Sequence, residues 1–171
     1  TVEVSRDQEL WTQNYEWGKP KGKLKKKAGV RNRRGTAVSF HADPDIFGAE
    51  ARFRPAQLYR MARSKAYLFR GVEIRWSCDA ALLSEDSDIP ATATLHFPGG
   101  LRDYLAARLE DRPVITALPF AGEATFSNGQ TGRVEWALTW RDDGEGGLTS
   151  YCNTVPTPLG GTHETGLRTA L

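Results

Sequence analysis

The stretch Ser150-Tyr-Cys-Asn-Thr-Val-Pro-Thr-Pro-Leu-Gly-Gly-Thr-His-Glu-Thr-Gly-Leu-Arg168 runs through three kinds of structure in a short space. Its first residues complete a β-prone run, Leu148 to Thr154, which Pro156 and Pro158 then break. Gly160-Gly161 predicts a close approach of backbone to some other group. Thr162 offers a hydroxyl for the N-cap of a helix, and Glu164 falls in the first turn, where the helix dipole favours a carboxylate. The segment Thr165-Gly-Leu-Arg-Thr-Ala-Leu171 reads as the opening of that helix. His163 and Glu164 could be taken for a general base or a ligand pair. Adjacent helical residues point about 100° apart, however, and the sequence places no third ligand beside them, so no catalytic or metal role is assigned.

Moving toward the N-terminus, Arg133-Val-Glu-Trp-Ala-Leu-Thr-Trp140 alternates, with Val134, Trp136, Leu138 and Trp140 on one side. A turn at Asn128-Gly-Gln130 joins it to Gly122–Ser127, and after a turn at 142–147 the run Leu148–Thr154 is expected to pair back, giving a three-strand meander. Leu101, Tyr104, Leu105, Arg108 and Leu109 have helical spacing. Thr92–Phe97 and Val72–Cys78 read as strands, with the acidic connector Asp79–Ala91 between them. Pro55 suits an early position of a helix running to about Phe69 that buries Leu58, Met61, Ala62 and the stem of Lys65, with Gly71 ending it. At the start, Val2–Arg6 and Glu9–Trp17 form a hairpin around Arg6-Asp7-Gln8. Gly18–Arg34, with nine basic residues and no acid, is expected to be a loop, and Gly35–His41 returns to strand before a turn at Ala42–Asp45. This order of hairpins and helices makes the fold class α+β. Because the chain opens in a strand pattern and stops in a helix pattern, we expect flanking sequence on both sides.

The 171 residues are 39% hydrophobic with a net charge of +2, enough to bury a core. Residues 1–34 hold ten Lys or Arg against four Asp or Glu, and the remainder thirteen against seventeen. Attraction to polyanions is thus a local property: the run from Lys19 to Arg34 either draws phosphates without reading sequence or is simply a solvated loop. Cys78 and Cys152, with no second Cys or His at ligand spacing, read as buried reduced thiols of a cytoplasmic protein. No apolar stretch is long enough to span a bilayer, so no membrane partner is expected. Ser64, Ser77 and Ser150 lack a nucleophile elbow, His41 and His96 sit at strand ends, and neither a Walker loop nor a dinucleotide fingerprint is present. Read from its residues alone, the chain holds no self-contained catalytic centre.

Two stretches together carry a family resemblance. Arg34-Gly-Thr-Ala-Val-Ser-Phe-His-Ala-Asp-Pro-Asp-Ile-Phe47 resembles the strand and turn that close the ATPase domain of gyrase and topoisomerase IV B subunits. The stretch from Ser150 to Arg168 resembles a second-domain signature of those subunits that ends Gly-Gly-Thr-His-x-x-Gly-Phe/Leu-Arg. Val134–Trp140 and Lys65–Ile74 look more like the topoisomerase IV branch than gyrase, whose B subunit and negative supercoiling remain the alternative.

The resemblance implies that residues 1–41 are the last strands of a nucleotide-binding domain shared by gyrase, the ninety-kilodalton heat-shock chaperone, histidine kinases and the MutL mismatch-repair protein. Residues 42–171 would be most of a transducer domain, with a fold like that of a ribosomal small-subunit protein and a left-handed crossover. It implies that Thr36, in isolation an ordinary strand threonine, joins the water-linked hydrogen bonding around the adenine of ATP, and that Val38 lines the pocket beside it. Arg168 would contact DNA phosphate in the cavity enclosed by two B subunits. The catalytic Glu, the Mg²⁺-holding Asn, the adenine-binding Asp and the glycine-rich lid would lie before Thr1, and the Gln-Thr-Lys loop after Leu171. The chain alone is therefore expected to be inactive, with no catalytic or metal residue and neither ATP nor Mg²⁺ bound to it. The whole protein is expected to use both, to act on DNA, and to assemble as two A and two B subunits with the B subunits dimerising on ATP. A reading of another class, a non-enzymatic nucleic-acid-binding module of ribosomal type, would call for aromatic residues stacked on an exposed sheet face. The tryptophans instead alternate with small or polar residues, as in a core face.

Overall fold

Two tight turns shape the start of the chain. Asp7 and Gln8 both take positive φ (52° and 62°), as do Trp17 and Gly18 (54° and 73°), the requirement for two-residue hairpin loops that follow the twist of the strands. They connect β1 (Val2–Arg6), β2 (Glu9–Glu16) and β3 (Lys19–Lys27). β4 (Gly35–Val38) returns alongside β1, giving an antiparallel sheet in the order β3-β2-β1-β4. The computed structural model describes all residues except Ala28, Val30, Glu85, Asp86, Asn128, Gln130 and Glu145. The expected turn at Asn128–Gln130 falls on these positions, as do parts of the expected basic loop, the acidic connector and the turn at 142–147.

The strand β3 corrects the expectation of a loop over Gly18–Arg34. An edge strand has no need to bury its side chains, since one row of backbone bonds to β2 suffices. Its lysines also find carboxylates on the neighbouring strands: Lys21 pairs with Glu16, Lys26 with Glu9 and Lys27 with Glu3. A register shift opposite Thr12–Asn14, with Gly22 at φ +77°, is the bulge that bends this edge. The short helix α1 (Pro44–Phe47) replaces the expected turn at Ala42–Asp45, because the Asp43 carboxylate accepts from the backbone of Asp45.

The chain divides into two compact units, Thr1–Phe53 and Arg54–Leu171. Within the first, Phe40 meets Phe53 edge to face at 5.5 Å, which ties the segment beyond β4 into this unit.

The second unit contains α2 (Pro55–Leu68), β5 (Ile74–Ser77), β6 (Thr92–Leu95), α3 (Leu101–Leu109), β7 (Phe120–Ser127), β8 (Thr131–Leu138), β9 (Tyr151–Cys152), β10 (Val155–Pro156) and α4 (Thr162–Ala170). β5 pairs with β6, β7 with β8 and β9 with β10, all antiparallel, so the class is α+β as expected. The expected meander is corrected. Leu148–Thr154 does not join β8, because Asn153 and Thr154 at positive φ turn β9 back onto β10. The place beside the end of β8 goes to the connector instead, through a bridge from Val114 to Arg141 and a bond from the Ile115 amide to the Trp140 carbonyl.

On α2 the expected stripe is met at Leu58, Ala62 and Lys65, which are half-buried, but not at Met61, and the deepest burial lies further along the helix. Met61 is 55% exposed, while Ala66 and Tyr67 are the buried residues. The cause is the Tyr67 ring, which stacks on Phe97 at 3.7 Å and lies 5.1 Å from Tyr104. On β8 Trp136 and Leu138 are half-buried but Val134 is exposed, as is Trp140 beyond the strand's end, so the expected four-residue core face is incomplete. The Trp136 ring fits only because its partner across the ladder is Gly122, where a Cβ would come within 2.6 Å of the indole. The expectation of buried thiols fails as well: Cys78 is half-buried and Cys152 is exposed on its two-stranded hairpin.

Three hydroxyls meet where α2, α3 and β9 converge. Tyr104 and Tyr151 share a hydrogen bond of 2.9 Å, and Ser64 lies 3.2 Å from Tyr151. Burial, then the bond to Tyr151, pushes the Tyr104 phenol up to about 12. A tyrosine in the unfolded chain ionises near 10. The stability that Tyr104 contributes as a neutral phenol is therefore complete below pH ~10 and is lost as pH rises through about 12. Tyr104→Phe should cost about 1 kcal/mol at neutral pH and shorten the alkaline loss of stability, and chemical denaturation of both proteins between neutral and alkaline pH measures this.

Candidate functional site

β4 places Thr36 and Val38 on one side of the first sheet. Thr36 stands opposite Val4 and Val38 opposite Val2, and opposed residues of an antiparallel ladder share a face. The ladder continues from Val4 to Trp11 and from Val2 to Gln13. The result is a largely apolar patch with one hydroxyl on it. Val38 is 63% exposed, Thr36 is also exposed, and the Thr36 hydroxyl has no hydrogen-bond partner among the described residues. A β-branched side chain on a strand holds its hydroxyl in a restricted set of directions. Such a patch can cover a flat heteroaromatic ring and offer one donor and acceptor at its edge.

The opposite face of the same sheet is closed. Ser5, Leu10 and Thr12 are buried there, and Glu3 meets Lys27 at 2.7 Å. The Lys27 ammonium, bonding and attracting, holds the Glu3 carboxyl below the ordinary carboxylate range, and Arg33 adds to this.

Arg168 belongs to the second unit, in the last turn of α4, exposed and without an ion-pair partner among the described residues. A cation at a helix C-terminus is favoured by the dipole. The glycine pair before α4 does bring the backbone against other groups, and those groups are the helix's own side chains. A Cβ at Gly161 would lie 2.8 Å from the His163 ring, and one at Gly160 3.2 Å from the Glu164 carboxylate. The expected cap is corrected: Gly161 is the N-cap, Thr162 is the first helical residue, and no side chain caps this end. Glu164 instead accepts from the Ser150 hydroxyl, and His163 lies 3.3 Å from the Thr157 hydroxyl. The histidine and the carboxylate thus fasten α4 to the hairpin ahead of it.

The residues from Ser150 to Arg168 fall within a longer match: the family described as DNA gyrase B matches residues 100–171. The chain is 48% identical over 170 residues to the DNA topoisomerase 4 B subunit of Bartonella bacilliformis, covering 99% of this chain and 24% of that protein. It is 49% identical over 174 residues to its counterpart in Caulobacter vibrioides, with the same two coverages. A DNA gyrase B domain is thus present at residues 100–171, and nearly the whole chain is similar to topoisomerase 4 B subunits. The chain spans about a quarter of the length of these relatives. The ATPase domain of Thermus thermophilus gyrase B, solved in complex with an aminocoumarin, superposes on 99% of the chain with a TM-score of 0.78 at 24% identity, covering 43% of that structure. That likeness concerns the fold. No helix among the described residues is long and apolar enough to cross a membrane.

Sequence reasoning singled out Thr36, Val38 and Arg168 through resemblance, and it missed β3. The signal was there in the alternation of Lys19, Lys21, Lys23 and Lys25, masked by the lack of apolar residues between them. Because neither Thr36 nor Arg168 holds any other group in place, Thr36→Ala and Arg168→Gln should each shift unfolding stability by less than about 0.5 kcal/mol, as measured by urea denaturation.

Proposed function

We propose that this chain is part of the ATP-hydrolysing subunit of a bacterial type II DNA topoisomerase of the topoisomerase IV branch. In this reading ATP binding closes two B subunits around a DNA segment, a relay domain moves relative to the nucleotide domain, and a gate opened with the A subunit lets the segment through. The products are relaxed and decatenated DNA. The identity of 48–49% over 99% of the chain to topoisomerase 4 B subunits is the observation that carries it.

Residues 1–41 would close the nucleotide domain and 42–171 would form most of the transducer, with its ribosomal-type fold and left-handed crossover. Thr36 and Val38 would meet the adenine side of ATP, a role supported by their shared exposed face and by the unpartnered Thr36 hydroxyl. ATP supplies the free energy for closure. Among the described residues no three carboxylate, imidazole or thiol groups converge. Arg168 would meet DNA phosphate, a role supported by its exposure on α4. The assembly would hold two A and two B subunits in the cytoplasm.

The test uses the full-length gene product with its A subunit. Thr36→Ala should raise the KM for ATP several-fold while the ATPase keeps its response to DNA. Arg168→Gln should leave the DNA-free ATPase unchanged and weaken its stimulation by duplex DNA. A wild-type enzyme that neither hydrolyses ATP nor decatenates linked DNA circles would overturn the reading. The 171-residue chain by itself should show no magnesium-dependent ATP turnover.

A further inference from the structure

The hairpin of β2 and β3 carries a charge pattern that the nucleotide reading leaves unused. Every residue of β3 is exposed. By register, Lys19, Lys21, Lys25 and Lys27 stand on the face of Glu3, Asn14 and Glu16, while Lys26 stands on the other face, beside Trp11. Lys21, Lys26 and Lys27 are neutralised from within the sheet by Glu16, Glu9 and Glu3. Lys19, Lys23 and Lys25 have no carboxylate within ion-pair distance among the described residues. Lys23 sits in the bulge, where the strand bends out of the ladder.

Surplus charge of this kind costs self-repulsion unless a polyanion answers it. At roughly 3.3 Å per residue, Lys19 to Lys25 spans about 20 Å. One strand of B-DNA presents a phosphate about every 3.4 Å of axis, so a segment of this length turns several phosphates toward the ridge. The open backbone of an edge strand could instead accept a strand from a protein partner, but a bulge and a row of lysines are the features that block such pairing.

We propose that Lys19, Lys23 and Lys25 form a sequence-independent docking surface for the phosphate backbone of duplex DNA. The choice of duplex DNA as ligand rests on the reading of the chain as part of a topoisomerase. Electrostatic contact with phosphate is long-ranged and tolerant of register, so this surface would gather DNA near the protein without selecting its sequence.

The experiment compares the full-length protein with a variant carrying Lys19→Gln, Lys23→Gln and Lys25→Gln. Binding to a duplex of about forty base pairs is followed by fluorescence anisotropy between about 50 and 200 mM salt, the range over which phosphate contacts lose most of their affinity. The slope of log affinity against log salt should become shallower by about 2 to 3, since each phosphate contact contributes about 0.9, and affinity at the low-salt end should fall by about one to two orders of magnitude. The three corresponding Lys→Arg changes should keep the wild-type slope, and DNA-free ATP turnover should be unchanged in both variants. Lys23→Gln alone should lower the slope by about 1, which keeps the test open if the triple variant fails to fold.

An unchanged slope and affinity in the glutamine variants would overturn the proposal. So would an equal loss on changing the ion-paired Lys21 and Lys27 to Gln, since net charge and not the ridge would then be responsible. Tighter binding to a single strand of the same length, in which exposed Tyr15 and Trp17 could stack on bases, would overturn the assignment to duplex. Loss of ATP turnover in the wild type would sink the topoisomerase reading while the salt slopes still report on the ridge.

Discussion

The second unit depends on where the Tyr67 ring lies. It comes from the last turns of α2, stacks on Phe97 just after β6, and meets Tyr104 on α3, so three elements far apart in sequence are fixed by one side chain. Each such aromatic contact adds about 0.5–1.5 kcal/mol beyond the area it buries. From Tyr104 the contact passes to Tyr151 through the shared hydroxyl bond, and Lys65, two residues before Tyr67, bonds the carbonyl of Thr154 at 2.9 Å. That carbonyl belongs to a turn in which a β-branched residue takes positive φ, a conformation that local preference disfavours. The ammonium of Lys65 thus holds in place the hairpin to which Glu164 and His163 fasten α4. The placing of Arg168 traces back, link by link, to an aromatic stack.

The first unit is governed by charge more than by volume. Its buried residues on the closed face are small or polar, Ser5 and Thr12 beside Leu10. The glutamates on β1 and β2, each answering one lysine, add to the backbone bonds that hold β3 in the ladder. Exposed pairs contribute little singly, about 0–1 kcal/mol each, but they favour this register, because a slip by one residue would turn the side chains of β3 to the other face and part all three pairs. The apolar side, with Val2, Val4, Thr36 and Val38, is left open.

These differences explain which parts were legible in the sequence. The β1–β2 hairpin, both long helices and the β7–β8 pair were readable because periodicity and turn residues report local geometry. The loop expected at Gly18–Arg34 was wrong over Lys19–Lys27, because that strand rests on backbone bonds to β2 and on acids of other strands, which local composition cannot register. On α2 Met61 and Tyr67 were misread for a similar reason: Met61 fits the period, but the Phe97 ring that selects Tyr67 comes from beyond β5 and the acidic connector. Thr36, Val38 and Arg168 were singled out through resemblance alone. By residue type alone, a strand threonine, a strand valine and a helix arginine carry no message.

The glycine pair at Gly160-Gly161 shows how a motif can be read correctly for the wrong reason. Two glycines do signal crowding, and the natural inference is a ligand or a partner backbone. Here the crowding comes from inside: Glu164 and His163 fold back over the turn to reach Ser150 and Thr157. A side chain at Gly161 would displace the His163 ring and loosen α4 from its hairpin. The constraint behind the Gly-Gly-Thr-His run in this chain is therefore the orientation of a helix, and through the helix the direction in which Arg168 is presented.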